Sequence, residues 1–242
     1  ITIHTGNITL TDNHTLAELK AINGGNTGGT ITLNSYAVAL SGTSADVAAA
    51  LDGNPFASTY TGNATLTDNH SLAELKTVNN GTSGQITLNN YAVALSGSTS
   101  DVKAALDGSF AAAYTGNVTI SDANGTGIAA TDITTIEGAT NGTITVSNNI
   151  NLTGTSAEIA TAVADVDTFS NTPTAPLSDP HTLAELKTIN DALTGTLTLN
   201  DYSVALSGTT ANVKAALAGT FAAAYTGNVT ISDANGTGIA AT

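Results

Sequence analysis

The 242-residue chain carries 19 acidic and 5 basic side chains, a formal charge of −14, with 4% aromatic residues and no cysteine, methionine or tryptophan. Its cations, Lys20, Lys76, Lys103, Lys187 and Lys214, are scattered singly, which excludes a nucleic-acid reader, because phosphate binding needs clustered ones. The missing thiols exclude disulfides and thiolate metal sites, and the few aromatics leave Ala, Val, Ile and Leu to build the interior.

No apolar run approaches the roughly 20 residues needed to span a bilayer, so no membrane insertion is expected. Ile1-Thr2-Ile3-His4 has neither a basic start nor an apolar stretch. A targeting signal is therefore expected to have been removed or to lie outside this chain, which opens with Ile and reads as processed or partial.

Taken in order, residues 1–10 read as a strand. Thr15 with Glu18 then fits a capping box: the hydroxyl accepts from the amide three residues on, and the carboxylate accepts from the cap amide. Gly24-Gly25-Asn26-Thr27-Gly28-Gly29 follows that helix and lacks the lysine of a phosphate-binding loop. Thr43 with Asp46 is a shorter cap, and Ser71 with Glu74 a full box. Residues 84–88 and 91–96 alternate at period two, with Ile86, Leu88, Tyr91, Val93 and Leu95 on one side, and predict two strands about an Asn-Asn corner. Val102, Ala105 and Leu106 form one face of a helix of about two turns. Residues 122–127 predict a turn, and Ala129–Ile136 a helix that diverges from its relatives in the chain. Thr155 with Glu158 and Thr182 with Glu185 are further boxes, and Thr209 with Asn212 a weakened one. Lys20, Lys76 and Lys187 sit further along their helices, where they are expected to favour the helix dipole. Between two of these boxes, residues 168–180 bring Pro173, Pro176 and Pro180, which remove ladder donors and predict an edge, a bulge or a junction.

The pattern repeats. Thr15-Leu-Ala-Glu-Leu-Lys20 returns as Ser71–Lys76 and Thr182–Lys187, and Phe110–Thr131 is letter for letter the same as Phe221–Thr242. The unit is about 55 residues, with a near-identical long period of about 111 and a weaker halving to about 27. A strand-corner-strand-helix unit of that size does not bury its own apolar edge, whereas stacked copies do. The expected fold is therefore α/β, residues 1–242 forming one tandem-repeat solenoid of short strands and short capped helices. The alternative is a string of small α+β modules.

Few residues suggest chemistry. His14, His70 and His181 stand just before helix N-caps; they are metal ligands or, on the plainer reading, turn residues copied with the repeat that staple the helix start. His4 takes the slot of Tyr60, Tyr114 and Tyr225. No nucleophile elbow occurs, and no enzyme is expected. Asp122 and Asn124, with their copies Asp233 and Asn235, place hard oxygen ligands in Gly-permitted turns and are candidate calcium ligands, although such turns are commonly only turns. Thr30, Thr32, Thr65 and Thr67, with Thr119, Thr143, Thr145, Thr196 and Thr198, are candidates for rows of outward hydroxyls that bind sugar or ice; Thr is also a good solvent-side strand residue. Asn7, Asn63 and Asn117 begin Asn-x-Thr acceptor patterns.

The stretches VTISDANGTGIAATDITTIEGATNGTITV and NLTGTSAEIATAV resemble the tandem repeats of very large secreted surface proteins of cyanobacteria and other marine bacteria, and the resemblance runs over the whole chain. It implies an extracellular or cell-surface structural and adhesive role and carries no functional residue across. Two functions are expected. One is a structural segment of a bacterial filament, sheath or surface layer, its partners being copies of itself associating end to end. The other is an adhesin stalk or a carbohydrate- or ice-binding module with surface polysaccharide as partner.

Overall fold

The computed structural model describes residues 3–53, 55–235 and 237–238. Over these residues the fold is α/β: strands of two or three residues pair in parallel in small sheets, eight helices lie between them, and no sheet closes into a barrel. By compactness the chain divides into two units. The first runs to Val118 and takes in Gly138–Thr143; the second comprises Thr119–Glu137 and the chain from Ile144 onward.

In the first unit the elements are β1 (Ile8–Thr9), α1 (Leu16–Gly25), β2 (Ile31–Thr32), β3 (Leu40–Gly42), α2 (Ser44–Leu51), β4 (Ala64–Leu66), α3 (Leu72–Gly81), β5 (Ile86–Thr87), β6 (Leu95–Gly97) and α4 (Thr99–Leu106). β1 pairs with β2, Ile8 beside Ile31, and β4 lies between β3 and β5, with Ala64 beside Leu40 and Ile86. Asparagine side chains mark the same rungs. Asn7 Oδ1 accepts the Thr30 amide 23 residues on, Asn63 the Gln85 amide 22 on, and Asn117 the Thr143 amide 26 on. α1 packs on α2, α2 on α3 and α3 on α4.

The boundary strand β7 (Val118–Ile120) leads into the second unit: β8 (Gly127–Ala129), α5 (Ala130–Glu137), β9 (Ile144–Val146), β10 (Asn151–Thr153), α6 (Ser156–Asp165), β11 (Thr168–Phe169), β12 (Ala175–Pro176), α7 (Leu183–Ala192), β13 (Thr196–Thr198), β14 (Leu206–Gly208), α8 (Thr210–Ala216), β15 (Thr220–Phe221) and β16 (Val229–Ile231). β8 pairs with β10, β9 with β11, β13 with both β12 and β15, and β14 with β16, all in parallel. Helices α5 to α8 pack each on the next.

The core is aliphatic, as composition requires. Leu19, Ile31, Val47, Leu75 and Ile86 are fully buried, and Tyr60 and Tyr114 are the largest side chains out of solvent. Each such Leu, Ile or Val contributes about 1.5–3 kcal/mol relative to exposure. Alternation holds within strands: Ala64 and Leu66 are buried and Thr65 half-buried. Val102, Ala105 and Leu106 do form the buried face of α4.

Two expectations are corrected. The strand expected over 91–96 is reduced to β6. Tyr91 Oη accepts the Leu88 amide and Asn90 Oδ1 the Ala92 amide, so side chains hold the corner in a turn and take those donors out of any ladder. Within the proline-rich segment 168–180, β11 ends its sheet beside β9, as an edge should, whereas β12 is not an edge. β12 is bonded to β13, while Thr174 and Leu177 bridge to Asn151 and Gly154 on the other side. Neighbouring donors supply the ladder: Thr174 N donates to Ile150 O and Leu177 N to Thr198 O.

Candidate functional site

All four capping boxes close as the spacing requires, and the Thr43 and Thr209 hydroxyls accept the amides of Asp46 and Asn212. This places His14, His70 and His181 at the mouths of α1, α3 and α7, where all three are buried. Each meets a tyrosine far along the chain. His14 Nε2 lies 2.9 Å from Tyr60 Oη and His70 Nε2 3.1 Å from Tyr114 Oη in the first unit; His181 Nε2 lies 3.0 Å from Tyr225 Oη in the second. The tyrosines in turn donate to the carbonyls of Val38, Val93 and Val204, each at 2.6 Å. A phenol has one proton to give. With it spent on the valine carbonyl, the histidine is the donor, Nε2–H to Oη, and its neutral tautomer leaves Nδ1 bare.

Nδ1 of each of the three histidines is buried without a hydrogen-bond partner. Burial therefore holds the three imidazoles below the ordinary histidine range, against the opposing pull of nearby carboxylates, Glu18 on His14, Glu74 on His70 and Glu185 on His181. Burial pushes the Tyr60 phenol up to about 12 and also raises Tyr114; at Tyr225 burial acts together with the Asp201 charge. The tyrosine rings also pack on Phe56, Phe110 and Phe221.

The relay demands glycine two residues after each tyrosine. A Cβ on Gly62, Gly116 or Gly227 would stand 2.0 Å from the carbonyl oxygen of Val38, Val93 or Val204, the acceptor of the tyrosine bond. His4, in the equivalent slot, is exposed.

Helix ends are likewise completed by other segments. Asp68 Oδ1 accepts the Ser44 amide at the start of α2, Asp179 Oδ1 the Ser156 amide of α6, and Asp233 Oδ2 the Thr210 amide of α8. At the other end, Asn23 donates to the Ala50 carbonyl of α2, Asn79 to Ala104 of α4 and Asn190 to Ala216 of α8. Lys20 and Lys76 do not serve their own helix ends as expected; they pair with Asp46 and Asp101 in the first turn of the next helix. Those lysines are the main cause holding both carboxyls below the usual range. Lys187 instead pairs with Asp191 one turn along α7, at 2.6 Å.

The candidate calcium oxygens are placed in this scheme. Asp233 caps α8, Asn124 Oδ1 accepts the Asn149 amide, and the Asp122 carbonyl accepts from the Asn148 side chain. Asn235 is exposed, and Gly236 of the second turn lies outside the described residues. Among the described residues no three His, Cys, Asp or Glu gather as for a metal ion.

The candidate threonines form short rows. Thr32 stands beside Thr9, Thr65 between Ser41 and Thr87, Thr145 beside Thr168, and Thr196 beside Thr220, while Thr198 faces Pro176. Thr30 and Thr143 give their amides to the Asn7 and Asn117 side chains, and Thr67 gives its own to the Gly42 carbonyl. Thr119 in β7 is half-buried.

The relay was not read from the sequence. Its signal is the recurrence of Tyr-Thr-Gly-Asn at 60, 114 and 225 in the same chain as the three histidines. The partners stand 46 or 44 residues apart, beyond any local pattern. Comparison with protein-family models, curated proteins and solved structures finds no match.

Proposed function

We propose that the chain is a structural segment of an extracellular bacterial filament, sheath or surface layer, built as a solenoid of stacked turns whose copies associate end to end. The observation that carries this reading is that turns are completed by other turns. Strands pair in parallel with segments about two dozen residues away, and α2 takes its capping groups from Asn23 before it and Asp68 after it. Sealed histidines favour a load-bearing role over a catalytic one. The charge of −14 makes lateral association depend on screening by salt or divalent ions.

Negative-stain imaging of the purified protein across salt concentrations, with and without chelator, tests this. Regular elongated assemblies that respond to salt are expected; dispersed monomers under every condition overturn the proposal. Assembly lost only with chelator would restore calcium at the Asp122 and Asp233 turns.

One observation favours a second reading, a binding module for surface polysaccharide or ice: the aligned hydroxyls of Ser41, Thr65 and Thr87 face one side of a ladder. That reading requires a monomer whose ligand binding is lost in Thr65→Tyr with its fold intact.

A further inference from the structure

The three relays share a property that neither proposed role requires. Each joins three stretches of chain, a helix start, a valine corner and a later tyrosine corner, through two directed hydrogen bonds. Each ends on a buried nitrogen that accepts nothing. A proton arriving there creates a cation and a new N–H donor with no acceptor, in a site closed to water.

We propose that the His14–Tyr60, His70–Tyr114 and His181–Tyr225 relays are acid-released locks, which hold the turns together at neutral pH and let them loosen as the surroundings become mildly acidic.

The charged groups around each lock bear on this. Glu18 faces His14; Glu74 and Asp68 face His70; Glu185, Asp179 and Asp201 face His181. All favour a proton on the imidazole, but they are engaged elsewhere: Glu18, Glu74 and Glu185 in capping boxes, Asp68 and Asp179 on the amides of Ser44 and Ser156, and Asp201 on Ser203. The phenols of Tyr60, Tyr114 and Tyr225 remain protonated throughout the range concerned.

The sign follows from linkage. The folded chain holds the three histidines neutral, whereas the unfolded chain protonates them below about pH 6.5. Stability is therefore complete above that value and lost as pH falls below it. The capping glutamates act in a lower window. Hydrogen bonds to their caps hold Glu18 and Glu74 below the ordinary carboxylate range, and at Glu185 such bonds outweigh the effect of burial. Their contribution is present above about pH 4.5 and lost only beneath it.

The test compares unfolding at pH 7.5 and 5.5 for the natural chain and for His14→Gln/His70→Gln/His181→Gln, whose amides donate to tyrosine without titrating. In the natural chain the logarithm of the unfolding constant is expected to rise by about three between pH 7.5 and 5.5, a mean slope of about 1.5, summed over both units. In the triple variant the slope is expected to fall to near zero. Equal slopes, or no slope in the natural chain, overturn the proposal. Should the triple variant not fold, histidine nitrogen NMR on the natural chain decides. Three imidazoles with bare Nδ1 that stay neutral at pH 5.5 support the lock; protonation at about pH 6.5, as in an unfolded chain, overturns it. Both readouts are taken on the dispersed chain, at a concentration and salt where copies do not assemble, so that failure of the lock and failure of assembly are told apart.

Discussion

Residues 110–118 and 221–229 are identical in sequence, yet Val118 is 1% exposed and Val229 45%. Looking back along the chain, the two are alike. Tyr114 and Tyr225 both donate at 2.6 Å to a valine carbonyl, both receive a histidine, and both stand two residues before a glycine pressed on that carbonyl. Looking forward, they differ. Asn141 N donates to Tyr114 O, Val118 N to Thr143 O, and Thr143 N to the Asn117 side chain. Among the described residues β16 pairs only with β14. The apolar face of a strand is thus written into each copy, but its burial is supplied by the segment that follows.

This comparison is broken most easily at the valines. Val118→Asp places a charge in a closed site and is expected to cost about 3 kcal/mol or more, whereas Val229→Asp is expected to cost under about 1 kcal/mol. Urea unfolding midpoints check this, and equal losses would show that burial does not come from the following segment. A smaller contrast is expected at the tyrosines. Tyr114→Phe leaves the Val93 carbonyl and the His70 N–H without their partner, at a cost of about 1–3 kcal/mol. Tyr225→Phe, in a half-buried ring, is expected to cost less, because water reaches the abandoned groups. Thermal unfolding of the two variants side by side measures the difference. The smallest effect is expected where both partners are wet. Lys76→Ala breaks the bridge to Asp101, whose side chains are 39% and 41% exposed, and is expected to change stability by no more than about 0.5 kcal/mol, vanishing in high salt.

Much of the local fold was legible in the residues. The four capping boxes, the two shorter caps, the buried face of α4 and the inward positions of Ile86, Leu88 and Leu95 were all read from spacing. The failures have a common cause. Residues 91–96 alternate like a strand, but Tyr91 and Asn90 take the corner amides. The prolines of 168–180 remove donors, but Thr174 and Leu177 keep both flanks of the ladder bonded. Lys20 and Lys76 stand where they would serve their own helices, but the acid nearest each belongs to another one. The histidines were rightly placed at helix starts, but their tyrosines and their tautomer were out of reach. In each case the deciding partner lies outside the window in which periodicity operates.

The residues by themselves determined where helices begin, which side of each strand is apolar, and that the pattern recurs, because a cap or an alternating strand is governed by groups within a turn or so of chain. Tertiary structure alone decided which tyrosine meets which histidine, which nitrogen carries the proton, and which of two identical strands is buried. Those depend on segments some two dozen residues or more apart being laid side by side, and only that contact removes water and assigns each donor its acceptor.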